Sequence, residues 1–143
     1  MKLSYLFLAI IVITLSACNL NNKHKEQISI SIIETTDVHG SFFPFDYVRD
    51  KTRSGSLASV YTYVDSLRNS NNNVILLDNG DILQGTPAIY YANYISDAKE
   101  HPLSQIMNFM HYEAATVGNH DIEAGHEVYD KYRAQLNFPL LAA

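Results

Sequence analysis

Val74-Ile75-Leu76-Leu77-Asp78-Asn79-Gly80-Asp81 is the stretch on which the fold turns. Four consecutive apolar residues fit a strand covered on both faces. A polar, glycine-containing turn follows at once. The same layout occurs twice more. Ile28-Ser29-Ile30-Ser31-Ile32 alternates with the period of a strand, Ile33 to Thr36 extends it, and Asp37-Val38-His39-Gly40 comes next. Ala114-Ala115-Thr116-Val117 is a third apolar run, and Gly118-Asn119-His120-Asp121 follows it as a loop at a strand end. Phe138 to Ala143 begins a fourth strand.

Helical patterns separate these runs. Leu57, Val60, Val64 and Leu67 recur at helix spacing over Ser56 to Asn69, with Ser54 or Ser56 able to cap the start. Ala88 to Ile95 forms a short helix behind Pro87. Pro102 starts another helix, whose stripe of Leu103, Ile106, Met107 and Met110 is core. Val128, Tyr132 and Leu136 mark the last helix, and His126 stands at its start. His101 and His111 read as surface or locally hydrogen-bonded residues. The alternation of strands and helices is that of an α/β domain with a mostly parallel sheet and flanking helices. In such sheets ligands gather beyond the carboxyl ends of the strands. All three polar turns belong there. Asp37, His39, Asp81, Asn119 and His120 are therefore expected to converge, with Asp121 and Glu123 close by. Residues two apart on an extended chain point the same way, so Asp37 and His39 aim at one point.

The 143 residues suffice for one small domain with its own core. The net charge is -5 and Lys and Arg form no stripe, which disfavours a nucleic-acid polymer as partner. A small phosphate ester held by metal ions is compatible with that charge. Cys18 is the one cysteine, so no intrachain disulfide forms. Residues 1–18 carry Lys2, an apolar run from Leu6 to Ile13 and Leu15-Ser16-Ala17-Cys18. This is a signal peptide, too short for a spanning helix. Its ending resembles the bacterial lipobox, which implies an exported protein anchored in the cell envelope, periplasmic or surface-exposed, through a lipidated Cys18. The other reading is an ordinary signal peptide cleaved near Ala17. Residues 19–27 are a polar tether, and 28–143 form the domain. Between Ser41 and Arg53 lie Phe42, Phe43, Pro44, Phe45 and Tyr47; they either pack over the sheet edge or give a ring to a substrate pocket.

Carboxylate, imidazole and amide donors without a thiolate suit Zn, Mn, Fe or Co. A carboxylate such as Asp81 can bridge two ions. Two ions about 3.5–4 Å apart can hold a phosphoryl oxygen and activate water for in-line attack. His120 is placed for acid–base work at a leaving oxygen. Taken singly, Asp37, Asp81 and Asn119 could each cap a helix or stabilise a turn.

Thr36-Asp37-Val38-His39-Gly40, Asn79-Gly80-Asp81 and Gly118-Asn119-His120-Asp121 resemble the first three blocks of the calcineurin-like metallophosphoesterases. Glu34 to Asp37, Phe45-Asp46-Tyr47 and Asp78 to Pro87 resemble the secreted nucleotidase group, above all the 2',3'-cyclic-nucleotide 2'-phosphodiesterase/3'-nucleotidases. The resemblance implies the N-terminal, incomplete part of a metallophosphoesterase β-sandwich. It implies two divalent ions, Asp37 and His39 on the first, Asp81 bridging, Asn119 on the second, and His120 as catalytic histidine. The group orienting His120 is Glu123 or Asp121, since Gln84 replaces an Asp common in the family. It also implies a nucleotide substrate of the 5'-nucleotidase or cyclic-nucleotide type. Later histidines and a nucleoside-binding C-terminal domain would complete the site, so residues 1–143 alone are expected to be weakly active or inactive. The alternatives are a phosphoesterase with a non-nucleotide substrate and a non-catalytic surface lipoprotein that keeps the fold.

Overall fold

The computed structural model describes residues 27–70 and 73–142. The signal peptide with Cys18, and all of the tether except Gln27, lie outside the described residues.

Four strands form one sheet in the order β1 (Ser31–Thr35), β4 (Val74–Asp78), β5 (Ala114–Thr116), β6 (Leu140–Leu141). Every neighbouring pair is parallel. Thr35 pairs with Asp78, and Asp78 with Ala115, so the carboxyl ends of three strands share one edge. This is the mostly parallel α/β architecture expected from the apolar runs. A two-residue antiparallel hairpin, β2 (Phe45–Asp46) with β3 (Lys51–Thr52), sits within the aromatic loop; strands so short leave no period in the sequence.

The first strand starts later than its alternation suggests. Its ladder begins at Ser31, which donates its N–H to the Asn73 carbonyl (2.8 Å), because β4 offers pairing partners only from Val74 onward. In that register Ile33 packs on the core and Thr35 is buried, while Ile28, Ile30 and Ile32 are exposed. On β4, Val74, Leu76 and Asp78 are buried, with Ile75 and Leu77 half-buried between them. The central strand is therefore fully covered on one face and partly on the other.

The helices follow the pattern of their apolar residues. Helix α1 (Leu57–Ser70) starts where the Ser56 hydroxyl accepts the Ser59 N–H (3.1 Å). It buries Leu57 and Val64. Helix α2 (Pro87–Tyr94) is capped by Thr86 and opens on Pro87, whose missing N–H costs nothing there. Helix α3 (Pro102–Phe109) buries Leu103 and Met107, and Met110 just beyond it completes the expected core stripe. The stretch after β5 is not a loop but a short helix, α4 (Asn119–Glu123). Helix α5 (His126–Ala134) then buries Val128 and Tyr132.

Of the two readings for His101, surface or locally hydrogen-bonded, the structure corrects the first. His101 is 1% exposed. Its Nε2 pairs with Asn93 Oδ1 (2.9 Å), and the Asn93 amide donates to the Leu83 carbonyl (2.6 Å). Its Nδ1 has no partner among the described residues. Burial, with Lys131 nearby, pushes the imidazole down from 6.5 to about 4. The unfolded chain therefore takes up a proton that the folded chain refuses. The resulting stability is full above pH 6.5 and is lost as pH falls toward 4. It is worth at most about 3 kcal/mol. His101→Gln keeps a donor for Asn93 and cannot charge. Its melting temperature should fall less than the wild type's between neutral and acid pH, and the difference between the proteins cancels carboxylates titrating in the same range. Equal acid slopes would place the loss elsewhere.

Candidate metal centre

The turns after β1 and β4 are laced backbone to backbone. Asp37 N–H donates to the Gly80 carbonyl (3.1 Å), His39 N–H to the Asp81 carbonyl (2.9 Å), and Asn79 N–H to the Thr35 carbonyl (2.8 Å). Asp37 and His39 meet, but not as neighbours on an extended chain. Asp37 (φ 53°), His39 (φ 52°) and Asp81 (φ 58°) all adopt left-handed backbone. Such conformations cost non-glycine residues free energy and cluster at functional sites.

From these turns Asp37, His39 and Asp81 each present a ligand atom, all within 4.8 Å of one another. His39 Nε2 lies 4.0 Å from Asp37 Oδ1. The His39 Nδ1 faces the Gln84 carbonyl at 3.1 Å. A carbonyl only accepts, so Nδ1 carries a hydrogen, and Nε2 is the ring nitrogen that faces the carboxylates. Thr36 donates its hydroxyl to Asp37 Oδ2 (2.5 Å), which leaves Oδ1 for the cluster. Two carboxylates and one imidazole make a donor set that fits a divalent ion of the Zn, Mn, Fe or Co kind.

His120 enters from α4. Its N–H donates to Asp81 Oδ1 (2.9 Å), and its ring centroid lies 5.4 Å from that of His39. Its Nδ1 sits 2.9 Å from Glu123 Oε2, and this hydrogen bond is the main reason its pKa is raised. The Gln84 amide reaches the same Glu123 oxygen at 3.5 Å. Of the two carboxylates weighed for orienting His120, Glu123 is the one on its ring. Asp121 is 3% exposed and turned elsewhere. Its Oδ2 accepts the N–H groups of Asp81 and Gly118, and its Oδ1 those of Ile82 and Leu83, all at 2.8–2.9 Å. Asn119 is exposed at the first position of α4, beside the residue that binds Asp81. Gly118 must lack a side chain, because a Cβ there would lie 2.1 Å from Asp81 Oδ1.

Two groups under the site escaped the sequence reading. Asp78 is 3% exposed, and burial pushes its carboxyl up to about 6. Tyr112 is buried beside it, its phenol raised above its usual range by burial. Thr35 joins them, 2.6 Å from Asp78 Oδ1 and 3.0 Å from the Tyr112 hydroxyl. The available signal was an acidic residue in the buried phase of β4, in step with Val74 and Leu76. The rings of the aromatic loop divide between core and cleft. Phe42 packs on the core, while Phe43, Phe45 and Tyr47 line a cleft of about 620 Å³ that also touches Gly40 and Gly85 beside His39.

Residues 30–142 match the family profile described as calcineurin-like phosphoesterase. The chain is 36% identical over 124 residues to the trifunctional nucleotide phosphoesterase protein YfkN of Bacillus subtilis, covering 82% of this chain and 8% of that protein. It is 30% identical over 133 residues to a 2',3'-cyclic-nucleotide 2'-phosphodiesterase/3'-nucleotidase of Yersinia enterocolitica, covering 91% of this chain and 20% of that protein. The crystal structure of the calcineurin-like phosphoesterase YfkN from Bacillus subtilis superposes with a TM-score of 0.73 at 35% identity, over 80% of this chain and 36% of the other. The chain thus spans a fifth or less of the length of these two relatives.

Proposed function

The chain belongs to the calcineurin-like phosphoesterase family, and from that premise we propose that it serves metal-dependent hydrolysis of nucleotide phosphate esters. The observation that carries this is the convergence of Asp37, His39 and Asp81 from two strand ends, beside a His120 held by Glu123. The relatives' names favour a nucleotide as substrate, and one of them a 2',3'-cyclic or 3'-phosphate.

In this reading Asp37 and His39 would hold one divalent ion, Asp81 would be shared with a second, and Asn119 would be a ligand of that second ion. Bound ions would supply Lewis acidity and an activated water. The residues of the chain do the rest. The two turns fix the ligand atoms before any ion arrives. His120 holds a proton on its ring through Glu123 and gives it to the leaving oxygen. Asp121 holds the amides of the turn that carries Asp81. Export and anchoring through Cys18 belong to the same proposal, and Cys18→Ala should release the protein from the membrane fraction.

The test is hydrolysis by the full-length protein: opening of 2',3'-cyclic nucleotides to the monoester, and phosphate release from 3'- and 5'-nucleotides. A chelator should abolish it and added Mn²⁺ or Zn²⁺ should restore it. Chelator-resistant turnover, or a purified protein that binds no divalent ion, would overturn the reading. Metal binding without turnover of any nucleotide would move the substrate to another phosphate ester.

Glu123 offers a finer check. Its hydrogen bond is the largest cause of the raised His120 pKa. In Glu123→Gln the imidazole should lose its proton at lower pH, so the alkaline limb of the pH–rate profile should shift toward acid. A profile whose alkaline limb stays in place, at any rate, would remove Glu123 from that role.

A further inference from the structure

Beneath the two ligand-bearing turns lies a buried carboxylate that the chemistry above leaves unused. Asp78 occupies the phase of β4 that Val74 and Leu76 fill with apolar side chains, and it is 3% exposed. An aliphatic residue there would extend the core at no desolvation cost. Breaking a packing rule of this kind is a mark of functional positions.

What the carboxylate holds explains its place. Its Oδ1 accepts the Thr35 hydroxyl (2.6 Å), itself 3.0 Å from the Tyr112 hydroxyl. Its Oδ2 accepts the Gly80 N–H (3.1 Å) and closes a turn over two residues. Gly80 sits at φ 89°, a conformation glycine supplies without strain. The Gly80 carbonyl then takes the Asp37 N–H, and the Asp81 carbonyl takes the His39 N–H. All three clustered residues hang from this one turn.

We propose that Asp78, braced by Thr35 and Tyr112, is the positioning residue of the Asp37–His39–Asp81 cluster: it fixes the Gly80–Asp81 turn from which both ligand-bearing segments are aligned. The inference rests on the metal-site reading. Thr35 lies two residues before Asp37 and Asp78 three before Asp81, so their bond ties the two strand ends together directly under the ligands. Removing the acceptor leaves the buried Gly80 amide unpaired and lets the turn relax.

The experiment is calorimetric titration of the metal-free full-length protein with Mn²⁺. Four variants are compared: Asp78→Asn, Thr35→Val, Thr35→Ser and the remote core variant Val64→Ala. An amide at position 78 keeps the Gly80 N–H on its oxygen only by turning its NH₂ onto the Thr35 oxygen, which reverses the Thr35 hydroxyl bond and removes the carboxylate's charge from the brace. Asp78→Asn and Thr35→Val should weaken Mn²⁺ binding by about 10- to 100-fold. Thr35→Ser should restore wild-type affinity, and Val64→Ala should lower the melting temperature with affinity intact. Unchanged affinity in Thr35→Val and Asp78→Asn would overturn the inference, as would an equal loss in Val64→Ala at matched melting temperature. A wild-type protein that takes up no Mn²⁺ would instead overturn the metal-site reading.

Discussion

Asp81→Asn is expected to abolish metal-dependent phosphate release and the rise in melting temperature that added Mn²⁺ gives the wild type. Partners one step removed from a metal typically cost 10- to 100-fold when lost, so a direct ligand shared by both proposed ions should cost more than about 100-fold. The substitution isolates charge from shape. An Asn at this position can still accept the His120 N–H that Asp81 Oδ1 takes at 2.9 Å. Asn also tolerates the left-handed backbone found there at φ 58°. The fold should therefore survive. The metal-free variant should melt no lower than the wild type, because one of the clustered carboxylates has lost its charge and Asp37 has lost a like-charged neighbour. Thermal melts with and without Mn²⁺, read beside phosphate release, separate these effects. A variant that kept both its Mn²⁺-induced stabilisation and its turnover would remove Asp81 from the centre of the site.

Much of this arrangement was legible because it rests on period and order. Val74 to Leu77 and Ala114 to Val117 declare strands by their apolar runs, and the intervening helical stripes force parallel pairing. Parallel pairing alone then puts Asp37, Asp81 and Gly118 at one edge. The remainder depends on features that leave no period. The backbone at Asp37, His39 and Asp81 is left-handed, which a strand-like extrapolation past Thr35 misses. The exposed phase of Ile28, Ile30 and Ile32 was hidden because alternation gives a strand's period but not which face is inward. His101 reads as a surface or locally hydrogen-bonded residue, yet it is buried, its ring bonding Asn93 and its N–H the distant Gln135 side chain. Asp78 sat in full view at the end of β4, and only its depth shows that it is not a surface turn residue.

The sharpest division falls between Asp121 and Glu123, two residues apart and indistinguishable by type. Asp121→Asn is expected to destabilise the protein strongly, whereas Glu123→Gln should leave the melting temperature almost unchanged. Asp121 accepts four backbone N–H groups with its two oxygens and is 3% exposed. An amide keeps one acceptor oxygen and turns its NH₂ against the other pair. Two amides are then left without a partner at about 1–3 kcal/mol each. The total, about 2–6 kcal/mol, should lower the melting temperature by roughly 10 °C or more in a domain of this size. The effect also reaches the site, since Asp81 N–H and Gly118 N–H share Asp121 Oδ2 and fix the turn against α4. Metal affinity should fall with stability in this variant. Glu123 is about half exposed and makes its contacts at the surface, where substitutions stay within about 0.5 kcal/mol. Thermal unfolding of the two variants side by side decides the matter. Similar melting temperatures would mean that the four amides find other acceptors, and the division of labour between the two carboxylates would fail.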